Sequence, residues 1–484
     1  AVELALRNNL DLRAALYGPE IARTRVAEAE SLYDHLFTAR VSGGENKFPT
    51  ATTLSGTTFQ ASDDVARAAV TVGRLLPTGG FLGLDASADR TLTNSSFVTI
   101  NPYYDTRVGL RWRQPLLRGF GQDVTESGIR AAKDGQDFAD LDLRSRTEDL
   151  VRGVETGYWL LVGARGDVDA QAQSVAVAED LLRIAEARLA AGAGTRVDVS
   201  QAAAGVAARR VDLLRSENIA RSLEESLLGL LLPRTPDTPG GTDLRVDTAD
   251  DPRKVLPPLP KETVDAAVDR ALVRRSDVRA RRVLADLAEV DVLRAESDAL
   301  ARLDFESSLA YAGIDSNLGG SYSDSLATRE HATWSVGVFL EVPIGNRAAR
   351  ARLERAQLGR TQAGAQIRAI ESAAVVRVRN ARRDLESTRE QIDAAALSVR
   401  LAIEQLDAEK ERLRNDKSTT FEVLRLETDL TQARRDELRA LVDYLTSWTR
   451  YEFEAGSLLE ARGVQIGSAK EGEPLLTPPE ERPR

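Results

Sequence analysis

From Val154 an apolar residue returns every seven places, through Leu161, Val168, Val175 and Leu182 to Leu189. The same ladder recurs as Val378, Leu385, Ile392, Val399, Leu406 and Leu413. Small residues stand three or four places off it: Gly157, Ala164, Ala178 and Ala185, then Ala374, Ala381, Ala395 and Ala402. A heptad ladder with short neighbours predicts coiled-coil seams in which helices pack closely. Each seam ends in a turn and reverses. The two turns align without a gap, Arg188-Leu189, Thr195, Asp198 and Val199 falling opposite Arg412-Leu413, Thr419, Glu422 and Val423.

The remaining elements fall around these two hairpins. Residues 1–36 predict a helix, with Gly18-Pro19 as a possible kink point. Residues 37–117 turn to Thr, Ser, Gly and aromatics. There Val108, Leu110 and Trp112 alternate with Gly109, Arg111 and Arg113, and residues 66–75 and 81–89 flank the turn Pro77-Thr78-Gly79-Gly80. Four strands are expected, with polar loops near 49–64 and 92–103. A long helix at 123–190, a tip at 191–196 broken by Gly192-Ala193-Gly194 and a returning helix at 197–232 complete the first repeat, 1–232. Seven prolines mark 233–262 as a linker. Then Ala267-Val268-Asp269 matches Ala1-Val2-Glu3, and a second repeat, 263–456, follows. It has a helix at 263–302, strands within 303–343, a long helix at 347–414, a tip at 415–420 and a helix at 421–455. The tail 457–484 is expected to be loose. At a rise of about 1.5 Å per residue, two short helices end to end match one long one. Four helical columns of equal height, strands at one end and tips at the other, predict a long tube.

Composition narrows the function. A chain of 484 residues with 42% hydrophobic content can bury a large core or several small ones, and 29% charged with 5% aromatic residues suits long helices. A net charge of −10 with no basic face argues against nucleic acid as a partner. The absence of cysteine excludes disulfides and thiolate chemistry and suits an oxidising envelope compartment. No methionine and no signal peptide are present, consistent with a trimmed N-terminus, and a lipid anchor there is left open. No apolar run reaches the roughly 20 residues of a spanning helix, so any membrane contact must use strands. Catalytic material is thin. His35 and His331 have no triad or ligand spacing nearby, and Gly79-Gly80-Phe81-Leu82-Gly83 lacks the strand–glycine–helix setting of a dinucleotide site. No enzyme activity, metal or cofactor is expected.

Several motifs carry a family likeness: the opening Ala1-Val2-Glu3-Leu4-Ala5-Leu6, Gln114-Pro115-Leu116-Leu117-Arg118-Gly119, Gly157-Tyr158-Trp159, the first tip from Arg188 to Gln201, and Val342-Pro343-Ile344-Gly345. In this order, twice over, the chain resembles the TolC family of outer-membrane efflux channels along nearly its whole length. The resemblance implies a mainly α fold with membrane β-strands: a homotrimer whose strands close one barrel in the outer membrane lipid, continued by an α-helical barrel across the periplasm. It implies a passive exit duct for small molecules, served by a periplasmic adaptor and an inner-membrane transporter of RND, ABC or MFS type. One chain's strands are too few to close a pore, and an open edge in lipid is costly. The family usually gives four strands per protomer, whereas this sequence offers six. Whether the hairpin around 77–80 joins the barrel, folds outside it or lines a loop is left open.

The resemblance also implies roles for the tips. Asp198 and Glu422 match acidic gate positions, and ringed carboxylates around a narrow axis attract cations. One helical turn on, where a second acid is expected, stands Arg425, which predicts an Arg425–acid pair within or between protomers. Gly192, Gly194, Thr195, Arg196, Ser418 and Thr419 fall where the adaptor docks. Trp112, Tyr103, Tyr104, Trp334, Phe339 and Phe305 are expected to form an aromatic girdle. The plainer readings are first-turn carboxylates, turn-forming glycines and strand-favouring aromatics. Two other functions stand beside efflux: an exit duct for type I protein secretion, and a soluble coiled-coil scaffold whose strand segments are loops.

Overall fold

The computed structural model describes residues 1–49, 60–95, 97–192, 194–232, 245–328, 330–415, 417–418 and 420–466. In chain order the elements are α1 (Val2–Asn8), α2 (Leu10–Ala15), α3 (Tyr17–Glu30), β1 (Leu36–Pro49), β2 (Gln60–Leu75), β3 (Phe81–Thr93), β4 (Tyr103–Pro115), α4 (Gln122–Thr125), α5 (Ser127–Ala190) and α6 (Arg196–Leu231). The second half gives α7 (Val264–Arg274), α8 (Ser276–Ala299), β5 (Arg302–Asp315), α9 (Leu318–Ser323), β6 (Ala332–Glu341), α10 (Arg347–Arg414), α11 (Thr420–Glu454) and α12 (Leu458–Ala461). The chain divides into two compact units. One comprises Ala1–Glu20, Phe138–Arg282 and Gln366–Arg484, the other Ile21–Asp137 and Val283–Ala365.

The first unit is helical, and its core follows the heptad ladders. Val154 and Leu161 on α5 are fully buried, as are their repeat partners Val378 and Leu385 on α10. Burying a Val or Leu side chain contributes about 1.5–3 kcal/mol. Ala374 and Ala381 are also fully buried, and a Cβ on Gly166 would stand 2.2 Å from a methyl of Leu438, so the small residues let the neighbouring helix approach. Tyr444, Leu441 and Tyr451 of α11 pack with Val378 and Leu385 in one cluster, and Ala5, Leu227 and Leu231 pack with Val154 and Leu161 in another. The described part of the linker runs over this core without helix or strand. It is tied down by phenols: Tyr158 donates to Asp250, Tyr444 to the Pro257 carbonyl and Tyr451 to Glu262, each at 2.6 Å.

Three expectations are corrected. The helix expected over 1–36 is three helices, broken at Asn9 and Leu16. Asn9 is extended (ψ 123°), and its side chain caps α2 by accepting from the Leu12 N–H at 2.9 Å. Pro19 lies in the first turn of α3, where its missing N–H costs no helical bond. The helix expected over 263–302 likewise breaks at Arg275, the repeat counterpart of Asn9, which is extended (ψ 127°). There the buried Arg275 guanidinium donates to Asp277 and Glu454. The tail is not loose from its start: Leu458, Leu459 and Val464 are buried against Leu6, Leu12, Leu143 and Val151. Residues 467–484 lie outside the described residues.

The second unit holds a six-stranded sheet in the order β1-β2-β3-β4-β5-β6, with every neighbouring pair antiparallel. Residues 60–64 and 92–93, expected in loops, extend β2 and β3. The hairpin around 77–80 is thus part of one continuous sheet. Its turn is held at both flanks: Leu76 N–H donates to the Gly80 carbonyl at 2.6 Å, and Thr78 and Gln114 exchange bonds at 2.7 and 3.0 Å. Gly79 adopts φ +83°, and a Cβ there would meet the Gly119 carbonyl oxygen at 2.2 Å, so only glycine fits.

Candidate functional site

Pairing across the six strands sorts the side chains into two faces. Phe37, Val72, Leu84, Leu110, Leu309 and Trp334 form one apolar row, and Ala39, Val70, Ala86, Val108, Tyr311 and Ala332 the next on the same face. On β6 this face continues as Val336, Val338 and Leu340. The row between them reads Thr38, Thr71, Asp85, Gly109, Ala310 and Thr333, on the opposite face. That face carries charge. Arg111 pairs with Asp85 at 2.9 Å and Arg67 with Asp89 at 3.6 Å, while the Ser308 and Ser335 hydroxyls bond at 2.8 Å. The charged exceptions on the apolar face of the second hairpin, Asp64, Arg74 and Arg90, sit toward its two ends.

The register divides the expected aromatic set. Trp112, Phe305, Trp334 and Tyr104 stand on the apolar face, with the rings of Trp112 and Phe305 edge to face at 5.4 Å. Tyr103 and Phe339 stand on the polar face, one residue out of step, because side chains alternate with a period of two. Phe339 lies under the Arg302 guanidinium, 4.8 Å from its ring centre. The belt expected of six residues therefore has four on the apolar side.

At the first tip the chain reverses between α5 and α6. Gly192 takes φ +73°, which closes the end of α5, and a Cβ on Gly194 would press on the Leu189 amide at 3.1 Å. Thr195 is the N-cap of α6 and Asp198 its third residue, and the two form a reciprocal capping box. The Thr195 hydroxyl and N–H donate to the Asp198 carboxylate at 2.7 and 2.9 Å, and the Asp198 N–H donates back to the hydroxyl at 3.3 Å. These bonds hold the Asp198 carboxyl below the usual carboxylate range. Arg196 is exposed in the first turn.

At the second tip Glu422, in the first turn of α11, pairs with Arg425 at 3.1 Å. The Ser418 hydroxyl and Arg412 donate to Glu409, whose carboxyl they hold below its ordinary value. Thr419 lies outside the described residues. Within one chain Asp198 is thus joined to Thr195 and Glu422 to Arg425. Sequence reasoning did not single out the charged ladder of the polar face or the role of Gln114 in fixing the strand turn. The signal for the ladder was present in the alternation of β3 and β4.

Known proteins share the fold that carries these residues. The model of the outer membrane efflux protein family matches residues 59–231. The alkaline protease secretion protein AprF of Pseudomonas aeruginosa is 26% identical over 368 residues, 74% of this chain and 71% of AprF. Among solved structures, the outer-membrane channel OprN aligns with a TM-score of 0.67 at 19% identity, over 94% of this chain and 89% of its own. The CmeC outer membrane channel of Campylobacter jejuni aligns with 0.64 at 17% identity, over 94% and 85%. The scaffold reading fails, since the segments it treats as loops are the paired strands of one two-faced sheet. Residues 59–231 thus resemble the outer membrane efflux protein family, and the chain as a whole shares its fold with outer-membrane channels.

Proposed function

We propose that three copies of this chain assemble about a common axis into a passive export duct for small molecules. The apolar face of the sheet meets lipid and the charged face lines water. The observation that carries this reading is the two-faced sheet. From Ala332 to Leu340 its apolar residues cover about 27 Å of strand at 3.4 Å per residue. Tilted by about 40°, that is about 21 Å of height, close to the roughly 25 Å apolar band of outer-membrane barrels. Exposed apolar positions on the helices, Val211 and Leu214 on α6 and Leu397 and Leu401 on α10, are the seams that neighbouring copies cover.

The tips are the gate and the docking end. Asp198 and Glu422 bring carboxylates from three copies toward the axis, with Arg425 tempering Glu422. Gly192, Gly194, Thr195, Arg196, Ser418 and Thr419 meet a periplasmic adaptor, which couples the duct to an inner-membrane transporter. A second reading, an exit duct for secreted protein, is favoured by the likeness to a relative named for alkaline protease secretion.

Extraction of the full chain from membranes, followed by mass measurement and planar-bilayer recording, tests the proposal. A particle of three chains with discrete conductance steps is expected. Asp198→Asn with Glu422→Gln, which removes charge but keeps both acceptors, should lower the preference for cations over anions about twofold or more, read as a shift of reversal potential in a salt gradient. A monomer recovered without detergent, or a silent bilayer, overturns the reading.

A further inference from the structure

We infer that all six strands of each chain are wall strands and that β1 of one copy pairs with β6 of the next, so three copies close a barrel of eighteen strands. The inference rests on the trimeric duct proposed above.

The apolar and polar rows run without interruption from β1 to β6, hairpin included. Strands folded into a lumen would meet water on both faces, and strands laid outside the wall would expose polar rows to lipid. β2 and β3 do neither, since Val70, Val72, Leu84 and Ala86 share the face of Leu110 and Leu309, and Thr71, Asp85 and Ser87 share the other. They also stand between β1 and β4 in the order, and Gln114 at the end of β4 grips their turn. The hairpin is built into the sheet.

The two ends of the order are open. Every residue of β1 and of β6 is exposed in the single chain. Phe37 at one end of the apolar row is 65% exposed and Trp334 at the other 72%. An unpaired edge in lipid costs several kcal/mol for each unsatisfied group. Because six is even and every pair is antiparallel, β6 runs opposite to β1, so the next copy's β1 continues the alternation. A five-stranded wall would force a parallel joint.

Size follows from strand number. With strands about 4.8 Å apart and tilted by about 40°, eighteen give a backbone diameter of about 36 Å, against about 24 Å for twelve. Natural barrels of 16–18 strands leave an aqueous channel. The membrane section of this duct is therefore wide.

The absence of cysteine makes the test direct, since any introduced thiol reports alone. Single variants Thr71→Cys and Ser87→Cys on the polar face, and Val70→Cys and Ala86→Cys on the apolar face, are labelled in intact membranes with a water-soluble maleimide. Ser308→Cys and Val108→Cys serve as controls on β5 and β4. Polar-face thiols of the hairpin should react as fast as Ser308→Cys, and its apolar-face thiols about tenfold slower, like Val108→Cys. Imaging of the assembled particle should count eighteen strands. If the controls alternate but the hairpin positions react alike, or twelve strands are counted, the six-strand wall is wrong while the duct stands. If the controls themselves do not alternate, the duct reading fails first.

Discussion

Tyr158 and Tyr451 bind the linker to the helices through phenols whose acidity is shifted in the same direction. Burial first, and then the hydrogen bond to a carboxylate (Asp250 for one, Glu262 for the other), pushes each up to about 12. An unfolded phenol ionises near 10. A folded value above the unfolded one gives stability that is complete below pH about 10 and lost as the pH rises through about 12. Spectrophotometric titration should therefore show a late class among the nine tyrosines, and Tyr158→Phe and Tyr451→Phe should each remove one phenol from it. Titration of all nine near 10 would mean the linker is not held this way. Residue pairs close in sequence were legible beforehand: Glu422 and Arg425 lie one helical turn apart. The Arg275–Glu454 pair was not, because its partners are 179 residues apart and nothing local announces them.

The element most exposed to test is the first turn of α6. Its Thr195–Asp198 box satisfies helix N–H groups that otherwise lack partners. Thr195→Ala should speed amide exchange in that turn about tenfold, and Thr195→Ser should leave it nearly unchanged. Equal rates in all three forms would show that the turn is held from elsewhere. Among the strands, legibility tracked side-chain size. β4 and β6 alternate large apolar residues with polar or small ones, as in Val108, Leu110, Trp112 and Trp334, Val336, Val338. In β2 and β3 alanine occupies many apolar-face positions (Ala66, Ala68, Ala86, Ala88), so the contrast between faces is weak and the sequence pattern predicts loop at the strand ends 60–64 and 92–93. The break at Asn9 escaped for another reason: the hydrophobic pattern runs through it, and only cap geometry marks the end. The break at Leu16 lies beside the kink expected at Gly18-Pro19.

For the molecule as a whole, the duplication was the plainest message of the sequence, and the fold class followed from it. Equivalent ladder positions are buried in both halves, and equivalent positions, Asn9 and Arg275, interrupt the short helices. What escaped was the meaning of the extra hairpin, because pairing order is a long-range property. The open strand β6 also has a consequence for heredity. In the proposed trimer each copy would lend that strand to a neighbour, so one faulty chain would spoil the ring it joins. Val336→Pro removes a ladder donor from β6. Produced beside the normal chain in equal amount, it leaves about one ring in eight free of the defect. Export from such cells should fall toward that fraction, a dominant loss. A fall to one half would mean that rings sort normal chains from damaged ones before they close.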